Sequence, residues 1–166
     1  MHKQASDYVY EEFHLWRGDR EQLKVLELGS LDINGSVRPF IEPFASEYLG
    51  IDAQEGAGVD LVADGSIYSK PNHYDVIVCC EVFEHTPDWK QIINLSMDNL
   101  VDGGIFITTM AGEGRPPHSA VDTGEIREWE HYSNIGEWEL RQTLKGFFKE
   151  SITNISGTDL RAWAIK

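Results

Sequence analysis

The sequence predicts a doubly wound α/β domain, with a mostly parallel seven-stranded sheet, helices on both faces and an antiparallel hairpin at its C-terminal end. Three observations carry this prediction. Short, dense apolar runs alternate with helical segments, as a parallel sheet covered on both faces requires. Four successive runs finish on or beside a carboxylate. The last two runs are separated only by Ser156-Gly157, which suits an antiparallel hairpin and is far too short for a parallel crossover.

The elements follow in order. Residues 7–16, with Tyr8, Tyr10, Phe13 and Trp16 among charges, form an amphipathic helix or flap within an N-terminal segment, 1–22, and Arg17-Gly18-Asp19 breaks it. Lys24 to Leu28 is a buried strand ending at Gly29. Residues 35–45 are a short helix interrupted by Pro39 and Pro43. Glu47 to Ile51 is the second strand, ending at Asp52, and Ala53 to Gly58 is too short and Gly-rich for a crossover helix. Val59 to Ala63 is the third strand, ending at Asp64; Tyr74 to Cys80 is the fourth, ending at Glu81. Pro87 to Leu100 is a helix with Trp89, Ile92, Ile93, Met97 and Leu100 on one face. Asp102-Gly103-Gly104 stops it, and Ile105 to Met110 is a fifth, β-branched strand. Residues 111–133 are a long polar loop, and loops of that length commonly serve as lids. Ile135 to Leu144 is the last helix, and Phe147 to Ile155 with Asp159 to Ile165 form the hairpin.

With 166 residues, 41% of them hydrophobic, the chain reads as one domain, 1–166, with one core. No apolar run approaches the ~18 residues of a membrane span. The start, Met1-His2-Lys3-Gln4, lacks the apolar region of a secretory signal, so a cytoplasmic location is expected. The formal charge of −14, with sparse and scattered basic residues, argues against nucleic acid as the main partner. Cys79 and Cys80 are adjacent in a strand, so their side chains point to opposite faces. They are expected to be reduced, small core residues without a disulfide.

Ligands of open α/β sheets sit at the carboxyl ends of the strands. There the sequence puts Glu27, Asp52, Asp64 and Glu81, with Asp32 in the first loop. Taken singly, each can cap a helix or first turn; in succession they describe a crevice rich in acceptors. A dinucleotide brings a pyrophosphate, which needs glycines at set positions of the first loop. In Gly29-Ser30-Leu31-Asp32-Ile33-Asn34-Gly35, Leu31 stands where the second glycine is needed, and Asp32 would repel phosphate. S-adenosylmethionine has no phosphate. Its sulfonium, ammonium, ribose hydroxyls and adenine amine all match carboxylates.

Five segments also resemble the ordered motifs of class I S-adenosylmethionine-dependent methyltransferases: Val25-Leu26-Glu27-Leu28-Gly29-Ser30, Leu49-Gly50-Ile51-Asp52, Val62-Ala63-Asp64-Gly65, the run from Tyr74 through Glu81-Val82-Phe83-Glu84-His85 to Asp88, and Leu100 to Ile105. The resemblance spans residues 23–166, and that family likewise inserts its last strand antiparallel. It departs at Leu31 and Ile33, where the family has further glycines, and in the near absence of a helix after the second strand. The resemblance implies that Gly29 lets the main chain approach the cofactor and that Glu27 orders the loop and the methionine amino group. It implies that Asp52 accepts from both ribose hydroxyls and that Asp64 accepts from the adenine amine, aided by the main chain at Gly65 and Ser66. Ser30 belongs to the first loop, and Cys80 and Glu81 flank the methionine end.

Aligned methyl transfer needs a base only if the acceptor must lose a proton. His85, His118 and His131 are the candidates, with Tyr132 as a stacking or hydrogen-bonding partner; the plainer reading of His85 is a cap on the following helix. His118, His131 and Asp122 match no standard metal spacing, so no metal is expected. The Asn/Asp-Pro-Pro-aromatic run of nucleic-acid amino methyltransferases is replaced by Glu81-Val82-Phe83-Glu84. The expected acceptor is a small molecule or sugar, with a protein residue as an alternative. A catalytically inactive module of the same fold, holding a nucleoside or a partner protein, is the competing reading.

Overall fold

The structure is a computed structural model that describes residues 2–166. Its elements are α1 (Lys3–Arg17), β1 (Leu23–Leu28), α2 (Arg38–Ile41) continued by a 3₁₀ turn (Glu42–Phe44), β2 (Ala45–Asp52), β3 (Leu61–Val62) and β4 (Tyr74–Cys80). A 3₁₀ turn (Phe83–His85), α3 (Trp89–Asn99), β5 (Leu100–Ala111), α4 (Glu137–Phe147), β6 (Glu150–Ser156) and β7 (Asp159–Ile165) follow. One seven-stranded sheet runs in the order β3-β2-β1-β4-β5-β7-β6. The strands from β3 to β5 are parallel, and β7 is antiparallel to both β5 and β6. Strand order reverses between β1 and β4, which opens a crevice at their carboxyl ends.

Alternation along the central strands builds two cores. Val25, Val76, Val78, Ile105 and Ile107 point to the face covered by Val9 and Phe13 of α1 and Ile41 of α2. Leu26, Ile77, Cys79 and Phe106 point to the face covered by Ile92 and Ile93 of α3 and Leu140 and Leu144 of α4. Burial on both faces is why these strands read as unbroken apolar runs. Cys79 and Cys80 are free and pack into opposite layers. No helix among the described residues is long and apolar enough to cross a membrane.

Several boundaries differ from expectation for local reasons. The N-terminal helix is longer, starting at Lys3. Pro43 removes a main-chain donor, so the 35–45 segment is only four residues of α-helix and a 3₁₀ turn. The third strand shrinks from five residues to Leu61 and Val62, an exposed edge with no helix over it; Asp60 is drawn instead to Gly50 and Arg38. Leu100 belongs to β5, not α3: β5 runs through a bulge, where Leu100 pairs with Tyr74 and Ile105 with Val76. The buried face of α3 therefore carries Ser96 and Asn99 with Trp89, Ile92 and Ile93. Ile135 forms an isolated bridge to Gly112 ahead of α4, and β6 starts at Glu150 rather than Phe147.

Candidate active site

A cleft of about 740 Å³ lies at the carboxyl ends of β1, β2, β3 and β4, beneath the loop that follows β5. Glu27, Gly29, Ser30, Asp52, Asp64, Gly65, Cys80 and Glu81 all line it, as do His85, His118 and His131. Tyr132 is not on its wall. It packs behind His85 and His118, with ring centroids 5.5 and 5.1 Å away, and its hydroxyl donates to the Pro116 carbonyl at 3.3 Å. His85 does not cap α3; it ends the 3₁₀ turn ahead of Thr86, and the N-cap position of α3 is Asp88.

The first loop is built without the missing glycines. The N–H groups of Gly29 and Ser30 both donate to the Ile51 carbonyl, at 2.9 and 3.1 Å. Leu31 N–H donates to Asp52 Oδ2 at 3.2 Å, and Asp32 N–H donates to the Ala57 carbonyl at 2.8 Å. Asp32 Oδ1 then accepts from Gly35 N–H, three residues on, at 2.7 Å, a local side-chain-to-main-chain bond that closes the loop. Gly29 itself is indispensable: its φ is +75°, and a Cβ there would fall 2.2 Å from Val82 Cγ2. Gly29→Ala is expected to destabilise the protein by about 1–3 kcal/mol through strain and overpacking. A denaturant melt matching wild type would contradict this.

Each carboxylate is held differently. Asp52 Oδ1 accepts from Gln54 N–H at 2.9 Å, so its two oxygens each take one main-chain donor and keep a lone pair free. Asp64 Oδ1 accepts from Ser66 N–H at 2.8 Å, and its carbonyl accepts from Ile67 and Tyr68; it caps a turn and faces the cleft as well. Glu27 is buried and accepts from the Tyr48 hydroxyl at 2.7 Å. Burial pushes its pKa up to about 7, against the lowering effect of that hydrogen bond. Arg38 stacks 4.5 Å over the Tyr48 ring and pairs with Asp60, which accepts from Gly50 N–H at 2.7 Å. This chain of contacts ties Glu27 to the loop after β2. Glu81 sits at φ +55°, a strained conformation for a non-glycine residue of the kind found at functional sites. Its Oε1 accepts from the Thr109 hydroxyl at 2.9 Å.

The far end of the cleft contains residues that sequence reasoning missed. Glu81 Oε2 is 3.8 Å from both His2 Nε2 and Arg115 Nη2; Arg115 also pairs with Asp159, and His2 lies 3.2 Å from Asp159 Oδ1. Register offered a signal for Asp159, which opens β7 opposite Ala111 at the end of β5. Glu84 is wholly buried, one oxygen accepting from Ala111 N–H at 3.1 Å. Burial, reinforced by the charge of Glu81, holds its pKa well above the carboxylate range.

The 111–133 loop is organised rather than slack. Glu130 Oε1 accepts from the Ser119 hydroxyl and Ala120 N–H at 2.8 and 2.9 Å, and Oε2 from Arg127 N–H at 2.8 Å. Around this hub the loop brings His118, Ser119, Val121, Trp129 and His131 to the cleft.

The topology separates this molecule from dinucleotide-binding sheets, which run 3-2-1-4-5-6. Solved structures match it over nearly the whole chain. A 1,6-didemethyltoxoflavin-N1-methyltransferase from Burkholderia thailandensis, solved with S-adenosylhomocysteine, matches with a TM-score of 0.71 at 16% identity, over 98% of this chain and 78% of that one. The chain has the class I methyltransferase fold. Magnesium protoporphyrin IX methyltransferase from Synechocystis, also with S-adenosylhomocysteine bound, matches at TM-score 0.68 and 16% identity, covering 98% and 82%. An S-adenosylmethionine-dependent methyltransferase from Mesorhizobium loti matches at 0.64 and 14%, covering 95% and 97%. No family model matches the sequence, and neither does any curated protein. After β2 the chain runs as a loop tied to Asp32 and Arg38, with no helix between β2 and β3.

Proposed function

We propose that the chain is an S-adenosylmethionine-dependent methyltransferase acting on a small-molecule or sugar acceptor. The observation that carries this reading is the convergence of Glu27, Asp52, Asp64 and Glu81 on one cleft whose first loop offers no cradle for pyrophosphate. The residues fit the cofactor: the buried Ser30 hydroxyl has no partner, and Asp52 keeps acceptor capacity beside it. When bound, S-adenosylmethionine supplies a methyl group already activated by its sulfonium.

The chain's own residues then bind, orient and exclude water. Asp52 takes the ribose hydroxyls, Asp64 and Gly65 the adenine edge, and Glu27 with Gly29 and Ser30 the amino-acid end. Glu81 and the Cys80 main chain flank the methyl group. On the acceptor side, burial lowers the pKa of His85 to about 4, with the neighbouring His118 adding to the effect. His85 is therefore a neutral imidazole near pH 7, with a ring lone pair able to accept a hydrogen bond from an acceptor. His118 and His131 line the same end, and Tyr132, its pKa pushed up to about 12 by burial, braces His85 and His118 as a neutral phenol.

The altered glycine loop is what motivates the competing reading, a fold that binds without catalysis, and the Asp32–Gly35 hydrogen bond closes that loop without the missing glycines. An assay with methyl-labelled S-adenosylmethionine and a panel of hydroxyl, amine and sugar acceptors tests the proposal. Label transferred to at least one acceptor, and lost in Glu81→Gln, is the expected result. Cofactor binding with no transfer to any acceptor class favours the binding module.

The 111–133 loop is proposed to act as a lid. Glu130→Ala removes its three internal hydrogen bonds, so proteolysis within 112–130 is expected to quicken several-fold while cofactor affinity changes by about two-fold at most. Cleavage at the wild-type rate would contradict a loop organised by Glu130.

A further inference from the structure

We propose a divalent transition-metal site formed by Glu84, His85 and His118 at the acceptor end of the cleft. One ligand atom from each of the three lies within 4.8 Å of the others. Two polar atoms there are buried and unpartnered: Glu84 Oε2 and His85 Nδ1. Glu84 is wholly inaccessible, and a polar oxygen left without a partner in that setting is destabilising. Arg115, the nearby cation, is already taken up by Asp159.

The histidine arrangement points the same way. His118 Nδ1 lies 3.2 Å from the Pro116 carbonyl. A proton on Nδ1 satisfies that contact and leaves Nε2 as a free donor of its lone pair, and ligating imidazoles are typically held by such a carbonyl. The two imidazole rings meet edge to face, with centroids 5.1 Å apart, so His118 is brought to the site by the lid while Glu84 and His85 come from the turn after β4.

Two imidazoles and one carboxylate suit a first-row divalent ion such as Zn²⁺ or Co²⁺, with coordination positions left open. His85 and His118 both line the cleft, so those positions face the acceptor. An acceptor oxygen coordinated there would release its proton to solvent more readily, as metal-bound water does. This last role rests on the methyltransferase reading, whereas the metal site itself does not.

The test uses the whole chain, freed of metal with a chelator and with no nucleoside present. Zn²⁺ is titrated calorimetrically, and Co²⁺ by its visible ligand-field absorption. The expected result is one ion per chain, with affinity at least about tenfold lower in His85→Ala and His118→Ala. His73→Ala is the control: His73 forms a histidine–carboxylate pair that does not line the cleft, 2.8 Å from Glu47, and its loss should leave binding intact. His118 lies on a surface loop, so its variant is expected to melt as wild type does. The proposal is overturned by absent saturable binding, by unchanged affinity in folded His118→Ala, or by loss of binding in His73→Ala. Because no nucleoside enters the experiment, its failure leaves the methyltransferase reading standing.

Discussion

Asp52→Ala is expected to weaken S-adenosylhomocysteine binding about tenfold or more, since charge-assisted hydrogen bonds contribute roughly 1.5–3 kcal/mol. The carboxylate stands at the end of β2, on the cleft wall, with each oxygen already braced by one main-chain N–H, from Leu31 and Gln54. That bracing fixes the direction of the remaining lone pairs, where two ribose hydroxyls can donate. The alanine variant loses the acceptors and relaxes the loop that carries Leu31. Asp52→Asn keeps one oxygen acceptor and should recover part of the loss. Calorimetry on each folded variant decides the matter, and an unchanged dissociation constant in Asp52→Ala would remove Asp52 from the ribose site.

Glu27→Gln should separate stability from binding. Burial lifts the Glu27 pKa to about 7; Asp32 and Asp60 add to that rise, while the Tyr48 hydroxyl and Arg38 oppose it. In the unfolded chain the group titrates at about 4.3. Between those values the folded state holds the extra proton, so stability falls as pH rises from about 4 to 7. Above pH 7 the buried charge costs on the order of 3–4 kcal/mol, at 1.36 kcal/mol per pKa unit. Glutamine carries no charge and can still accept from Tyr48. The variant should therefore be more stable than wild type at pH 8 by up to that amount, and close to it at pH 4. Ligand binding should move the opposite way: the ionised carboxylate attracts the ammonium of the amino-acid end, so wild-type affinity rises through pH 7 and exceeds that of the variant at pH 8. Equal melting temperatures at pH 8, together with equal affinities, would show that Glu27 is neither ionised nor a ligand group.

The cofactor half of the site was legible because its chemistry is local. Glu27, Asp52, Asp64 and Glu81 each lie within or just beyond a strand whose apolar run is visible in the sequence, and parallel pairing brings those ends together. Both faces of β4 are buried, so Cys79 and Cys80 could be assigned to opposite layers from alternation alone. The acceptor half was less legible because it is assembled across the chain. His2 reaches Asp159 and Glu81 through the packing of α1 against β5 and β7, which no local pattern encodes. The Glu27–Tyr48–Arg38–Asp60 chain also joins three elements, although Tyr48 occupies alternate position to Gly50 on β2 and so was open to a register argument. Tyr132 was placed on the cleft because its segment is polar and aromatic; in the fold His85 and His118 stand in front of it. The two departures in the first loop and after β2 have one physical cause. Asp32 closes the loop by side-chain hydrogen bonding where glycines would have done so conformationally, and the same loop docks on residue 57 in place of a helix.

The measurement that bears most directly on the central claim is a paired calorimetric titration of the wild-type chain with S-adenosylhomocysteine and with NAD⁺. The cleft of carboxylates around a loop unsuited to pyrophosphate predicts saturable one-to-one binding of S-adenosylhomocysteine and far weaker or no binding of NAD⁺. Preferential binding of NAD⁺, or no binding of S-adenosylhomocysteine to the folded protein, would contradict it.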